Sequence, residues 1–169
     1  MKKFFFLLLS LCWGCLLMAQ KYAIIDTRYI LDKMPSYKEA QLQLDGIAAD
    51  WQKEIDGKQE KLDKMYRDYE AEQVMLTEEL RKKREDQLFA LEKEVRDLQR
   101  RRFGFEGDLF KKRQELIKPI QDKVFNAVQK LSVARGYELV FDKSEGITII
   151  FADPKLDKSE DVLKELGVR

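Results

Sequence analysis

Residues 77–102 read TEELRKKREDQLFALEKEVRDLQRRR, the clearest part of a long charged segment, Ser36–Arg135. Apolar side chains recur there every three or four positions, which is the spacing of one face of an α-helix. Residues 36–72 repeat that spacing, whereas Gln73–Thr77 interrupts it, and Thr77 is a suitable N-cap for a second helix. The sequence therefore predicts two long antiparallel helices, a coiled-coil hairpin arm over residues 36–135 with its tip near 73–77.

Local signals refine this arm. Ser36, with Glu39 three residues later, matches a capping box, and Gly136 is suited to end the second helix. Three further residues inside the second helix favour bending, namely Gly104, Gly107 and Pro119. We expect these three to act as hinges.

Short apolar runs flank the arm. Lys21–Asp26 predicts one strand, and Tyr137–Asp142 with Ile147–Ala152 predicts a hairpin of two more. Residues 20–35 and 136–169 would then form a small β-rich base, which makes the fold class α+β and mainly α. A base of so few residues can form only a small core, and its strands would have unpaired edges. We therefore expect copies of the base to associate. The candidate contacts are Ile24, Ile25, Leu139, Phe141, Ile147 and Ile149.

The first nineteen residues predict export. A basic start at Lys2-Lys3 precedes an apolar run that ends near Ala19, as in a cleavable signal peptide. An alternative is a lipoprotein anchored through Cys15. If Cys12 and Cys15 leave with the signal, the remaining chain has no thiol.

The composition argues against an enzyme. The chain has no histidine, and its 32 basic and 31 acidic residues are mixed along the helices, where they favour solvated i,i+4 pairs. There is no glycine-rich phosphate loop, and we expect no catalytic residue, cofactor or metal. The basic clusters Arg81–Arg84 and Arg100–Arg102 favour a solvated helix face; a steering patch for acidic partners or lipid headgroups and nucleic-acid binding are the alternatives.

The aromatic residues of the second helix are more informative. Phe103, Phe105 and Phe110 surround Gly104 and Gly107, and Phe103, Phe110, Ile117 and Val124 form a stripe at intervals of seven. This stripe either packs against the first helix or the base, or it lines a cavity for apolar segments of another protein. Met75 and Leu76 at the tip are difficult to bury within a hairpin. The candidate binding residues are therefore Met75, Leu76, Phe103, Phe105 and Phe110.

Several segments, in this order, resemble the Skp/OmpH family of periplasmic chaperones. They are Ile25–Leu31, Pro35–Ala40, Met75–Glu79, Ile117–Ile120, Ala134–Asp142, Ala152–Asp157 and Asp161–Leu166.

The resemblance covers essentially the whole chain after the export signal. It implies a homotrimer in the periplasm, with strands in a shared barrel and three arms that hold unfolded outer-membrane proteins without ATP. It also allows a weak contact with the membrane surface, and we expect no nucleic acid partner. Familiar members are strongly basic, whereas this chain is nearly neutral. The alternative function is a structural coiled-coil scaffold of the envelope that binds no unfolded client.

Overall fold

The computed structural model describes residues 21–144, 146 and 148–168. The predicted export signal, Cys15 and Ile147 therefore lie outside the described residues. The chain divides into two compact units. We call Leu31–Lys123 the arm unit, and the described residues of 21–30 and 124–168 the base unit.

The elements follow one another in a simple order. Strand β1 (Tyr22–Ile25) precedes helix α1 (Thr27–Lys33), and three long or medium helices follow: α2 (Pro35–Glu72), α3 (Glu78–Phe103) and α4 (Asp108–Leu116). The chain ends with α5 (Lys118–Arg135), β2 (Leu139–Asp142), a 3-10 turn (Pro154–Leu156) and α6 (Ser159–Glu165).

The base unit is built around a two-stranded parallel sheet. Ala23 of β1 lies opposite Val140 of β2, and Ile24 lies opposite Phe141. The connection between these strands contains all the long helices, so it is long enough for a parallel crossover. Ala23, Ile24 and Ile25 are buried, as are Val162 and Leu163 of α6. The amide of Asp26, directly after β1, donates to Ser159 Oγ at the start of α6 at 2.9 Å.

The predicted hairpin Tyr137–Asp142/Ile147–Ala152 is wrong for the single chain. Its first strand forms at Leu139–Asp142, but it pairs with β1, and residues 148–152 contain no strand. A strand needs a neighbouring edge for its backbone hydrogen bonds. The second edge of β1 is already used, because the amide of Lys158 donates to the Ile24 carbonyl at 2.8 Å.

Two aspartates of the base unit, Asp142 and Asp157, accept hydrogen bonds that lower their pKa values. Asp142 Oδ1 accepts from the amide of Thr27 at 3.1 Å, at the start of α1, and from the amide of Ser144 at 2.9 Å. Burial alone would raise the pKa of Asp142, but the hydrogen bonds from Thr27 and Ser144 outweigh it and hold the pKa below its usual range. The same holds for Asp157. Burial alone would raise its pKa, but the hydrogen bonds from Lys143 and Ser159 lower the pKa below its usual range.

The arm unit is a helix pair with a narrow apolar seam. One buried cluster joins Ile55 of α2 to Val95 and Leu98 of α3, and another joins Leu62 to Leu88 and Leu91. As residue numbers rise along α2 they fall along α3, so the two helices are antiparallel. Helix α2 also packs against α4. An ion pair from Lys58 Nζ to Glu94 Oε1, at 2.6 Å, spans the rim of the seam.

The structure can be compared with three helix ends that the sequence predicted, at Ser36, Thr77 and Gly136. The predicted capping box at Ser36 is wrong: α2 begins at Pro35, and its cap residue Met34 makes no side-chain cap bond. Proline at the first helical position needs no amide partner, which explains the earlier start. Thr77 does cap α3, accepting from the amide of Leu80. Gly136, with φ of 68°, ends α5 as predicted.

The predicted second helix is interrupted twice. Residues 104–107 separate α3 from α4, and Ile117 separates α4 from α5. Pro119 is the second residue of α5, and since it has no amide hydrogen it cannot continue the ladder of α4. Both interruptions coincide with the residues predicted as hinges; their motion stays a prediction. None of the described helices has the length and apolar composition that crossing a membrane requires.

Candidate functional site

The tip of the helix pair presents apolar side chains to solvent. Met75 is 78% exposed, Val74 is more exposed still, and Leu76 is half-buried. The turn itself is held by polar contacts: Arg81 Nη2 donates to the carbonyl of Gln73 at 3.2 Å. The tip is therefore a tethered turn with an exposed apolar surface.

The break between α3 and α4 presents a second apolar site. Phe105 is 98% exposed, and Phe110 and Phe103 are partly exposed. Two glycines allow the chain to turn tightly here. A Cβ at Gly104 would lie 2.2 Å from the Arg100 carbonyl oxygen, and one at Gly107 would lie 2.8 Å from that of Arg101. Phe105 therefore projects from a closely packed turn, not from a slack one.

The predicted binding residues form two separate sites. Met75 and Leu76 precede α3, whereas Phe103, Phe105 and Phe110 lie at and beyond its end. The 26 residues of α3 separate them by about 39 Å at 1.5 Å per residue. The other members of the predicted stripe, Ile117 and Val124, are buried. The stripe is thus exposed only in its first half, at the break.

A cluster centred on Arg102 was missed by the sequence reasoning. The cluster Arg100–Arg102 was predicted to lie on a solvated helix face, but the Arg102 guanidinium lies 4.6 Å from the ring centre of Trp51 and is ion-paired to Asp108 and Glu54. Trp51 also meets Phe103 edge-on, with ring centres 6.4 Å apart. The signal available was that Trp51 and Arg102 both lie on the apolar seams of their helices.

The base unit exposes apolar residues of its own. Ile24 and Ile25 are buried in their own chain, Ile149 is half-buried, and Leu139 and Phe141 are exposed. Sequence reasoning missed the two most exposed of the large apolar residues in the described base, Ile150 at 95% and Phe151 at 85%. Residues 148–154 line an open hollow of about 590 Å³ together with Ile24, Lys143 and Asp157. Within the described residues, β2 pairs only with β1, so its second edge is free for another strand.

The basic clusters are divided among different contacts. Arg84 pairs with Glu72 across the tip at 3.6 Å, Arg81 holds the tip turn, and Arg102 belongs to the Trp51 cluster. Carboxylates elsewhere are engaged along the helix surface, as in Arg96 with Glu92 at 2.8 Å. Among the described residues, no group of three or more acidic side chains is arranged to hold a metal ion.

Comparison with known proteins identifies the family. The family model for outer membrane protein (OmpH-like) matches residues 21–166. The chain belongs to the OmpH-like family. An uncharacterised protein from Aquifex aeolicus (strain VF5) is 31% identical over 166 residues, which is 98% of this chain and 96% of that protein.

A solved structure shares the fold. It is an OmpH-like protein from Caulobacter crescentus CB15, described as a candidate outer membrane chaperone. It matches with a TM-score of 0.69 at 14% identity, over 88% of this chain and 84% of the other. At that identity the likeness concerns the fold alone.

Proposed function

We propose that this OmpH-like protein is an ATP-independent periplasmic holdase that binds unfolded outer-membrane β-barrel proteins among the arms of a homotrimer. The observation that carries the proposal is Phe105, an almost fully exposed aromatic residue held in a tight turn on a helical arm. An exposed aromatic ring is costly in water unless it has a partner. An unfolded barrel protein offers apolar side chains in many sequences, so it suits small, separate apolar sites.

The base supplies the argument for self-association. Its exposed residues Leu139, Phe141, Ile150 and Phe151 have large apolar side chains, and β2 has a free edge in the described part of the chain. Copies of the base would cover these residues and complete the sheet, and the family resemblance implies three copies and a barrel. Residues 148–152, which lie within the segment predicted as a strand, would then gain a neighbouring strand from another copy.

The arms supply the argument for client binding. The predicted sites at Met75 with Leu76 and at Phe103, Phe105 and Phe110 lie at different distances along the arm, so several arms would present apolar sites at two levels. The chain carries nearly equal numbers of acidic and basic residues. Burial of apolar surface would therefore dominate over charge attraction in holding a client, and any contact with a membrane surface would be weak.

Aggregation suppression tests the proposal. A urea-denatured β-barrel protein is diluted into buffer with or without the purified chain, without ATP, and its light scattering is followed. We expect near-stoichiometric trimer to suppress scattering. The double variant Met75→Ser/Phe105→Ser should suppress several-fold less, whereas Leu42→Ser, at an exposed position outside the predicted sites, should match the wild type.

Two results would contradict the proposal. If the wild type left scattering unchanged, the chain would be a scaffold without clients, which is the alternative function. If Leu42→Ser were as impaired as the double variant, binding would not depend on the named residues.

A further inference from the structure

Arg102 of α3 contacts two other helices with one side chain. It lies in the last turn of α3, its guanidinium carbon is 4.6 Å from the ring centre of Trp51 on α2, and Nη2 is 3.4 Å from Glu54 Oε2 on α2. Nη1 is 2.8 Å from Oδ2 of Asp108, the first residue of α4. The side chain is only 24% exposed. Arg102 is therefore the point at which both sides of the break meet the opposite helix.

These contacts reinforce one another. A guanidinium can stack on an aromatic face and pair with two carboxylates at the same time. The group is planar, so its flat face is available to the ring while its N–H donors point outward in the plane. Asp108 is favourably placed for the pair, since a negative charge at the first turn of α4 also suits the helix dipole. Partial burial reduces solvent screening of the charges. The ion pairs should therefore hold more firmly than ordinary surface pairs.

The turn next to Arg102 is strained. Glu106 has φ of 52°, a left-handed conformation that is unfavourable for a residue with a side chain. Gly104 and Gly107 pack closely against carbonyl oxygens of the last turn of α3. Such a conformation persists only where its surroundings impose it. The contacts of Arg102 on each side of the turn provide that constraint.

We propose that Arg102 is a clasp that holds the break closed and covers Trp51, so that breaking its ion pairs loosens residues 104–111 and exposes an aromatic surface of Trp51 and Phe103. The clasp is a conformational device within one chain and does not depend on the trimer or on client binding. Its opening is favoured by salt, because screening weakens ion pairs more than stacking.

The chain has two tryptophans, Trp13 and Trp51. The test uses the full chain with Trp13→Phe, so that all tryptophan fluorescence comes from Trp51. Arg102→Met keeps the length of the side chain but removes its charge. Arg101→Met is the matched control, since Arg101 is the exposed neighbour. Asp108→Asn weakens one ion pair and leaves the Trp51 contact. Quenching of Trp51 fluorescence by acrylamide and hydrogen exchange of the backbone amides are measured for each protein.

In Arg102→Met we expect acrylamide quenching to rise at least twofold and the amides of Gly104, Gly107 and Lys111 to exchange at least tenfold faster. Asp108→Asn should lie between this variant and wild type, and Arg101→Met should match wild type. Raising the salt from 0.05 to 0.5 M should increase quenching in the wild type but not in Arg102→Met.

Two outcomes would overturn the clasp. One is Arg102→Met behaving as Arg101→Met does. The other is equal acceleration of exchange around Leu62 and Leu88, where the helices pair without Arg102, because Arg102 would then act on the stability of the whole helix pair and not on the break.

Discussion

The apolar seam of the arm unit and the apolar pair Ile150–Phe151 of the base unit differ in how far a single chain buries them. In the arm unit, Leu62 and Leu98 are almost completely buried between two helices of the same chain. In the base unit, Ile150 and Phe151 are almost completely exposed. One chain is therefore enough to close the seam of the arm but not to cover the surface of the base.

The difference follows from how helices and strands satisfy their backbones. A helix forms its hydrogen bonds within one segment, so a pair of helices needs only a narrow apolar stripe to pack. The amides and carbonyls of a strand need hydrogen-bond partners outside the strand, and these are supplied by neighbouring strands. Residues 148–152 have strand-forming side chains but form no strand in the single chain, and the second edge of β2 is unpaired within the described residues. A second copy of the base could supply the neighbouring strand that each of them lacks.

The largest expected effect concerns the seam of the arm. Leu98→Ala should lower the free energy of unfolding by about 2–4 kcal/mol, because it leaves a cavity beside Ile55 and Val95. The matched control is Leu42→Ala, at an exposed position of α2, which should change it by less than about 0.5 kcal/mol. Urea denaturation followed by far-UV circular dichroism measures both. Equal effects would mean that the seam does not stabilise the arm.

The glycines test whether the break is tightly packed. Gly104→Ala should destabilise the protein by about 1–3 kcal/mol, because the new Cβ would collide with the Arg100 carbonyl. Gly57→Ala should instead stabilise it by about 1 kcal/mol, since Gly57 is in the middle of α2 and has open space around it. The two substitutions should thus differ in sign in the same urea experiment. A stabilising Gly104→Ala would contradict the close packing described here.

The exposed surface of the base is tested by dilution. Ile150→Ser should weaken self-association about tenfold, or about 1.4 kcal/mol, because it removes apolar surface that a second copy would cover. Phe89→Ser, which removes an exposed aromatic from the arm, should leave association unchanged. Analytical ultracentrifugation over a concentration series measures both constants. If Ile150→Ser associates as tightly as wild type, its exposed side chain is not part of the interface.

The smallest expected effect concerns the stability of the base unit at low pH. The pKa of Asp142 is lowered in the folded base, so its contribution is present above the unfolded pKa of about 3.9 and is lost as pH falls through the folded value. Asp142→Ala should cost about 1 kcal/mol at pH 7, from the lost hydrogen bonds to Thr27 and Ser144. Asp142→Asn keeps the acceptor without the charge, so it should flatten the loss of stability that the wild type shows as the pH falls below the unfolded pKa. A wild-type pH dependence in this variant would exclude Asp142 as its source.

Regular helices were predictable from the sequence because their signals are local. The apolar spacing and Thr77 predicted the helices on either side of the tip. Gly104 and Gly107 were predicted to bend the second helix at the place where the structure interrupts it. The Arg102 pair with Asp108 was not predictable, since residues six apart on a continuous helix point about 120° away from each other, and only the break brings them together. The β-hairpin failed for a similar reason: an apolar run indicates a strand but not its partner.

The most direct test of this comparison is the mass of the protein in solution. Size-exclusion chromatography with light scattering, at micromolar concentration, should give three times the mass of one chain, with the base covered by its copies. A single-chain mass under these conditions would contradict the account, because the exposed surface of the base would then be its final state and no cavity between arms could form.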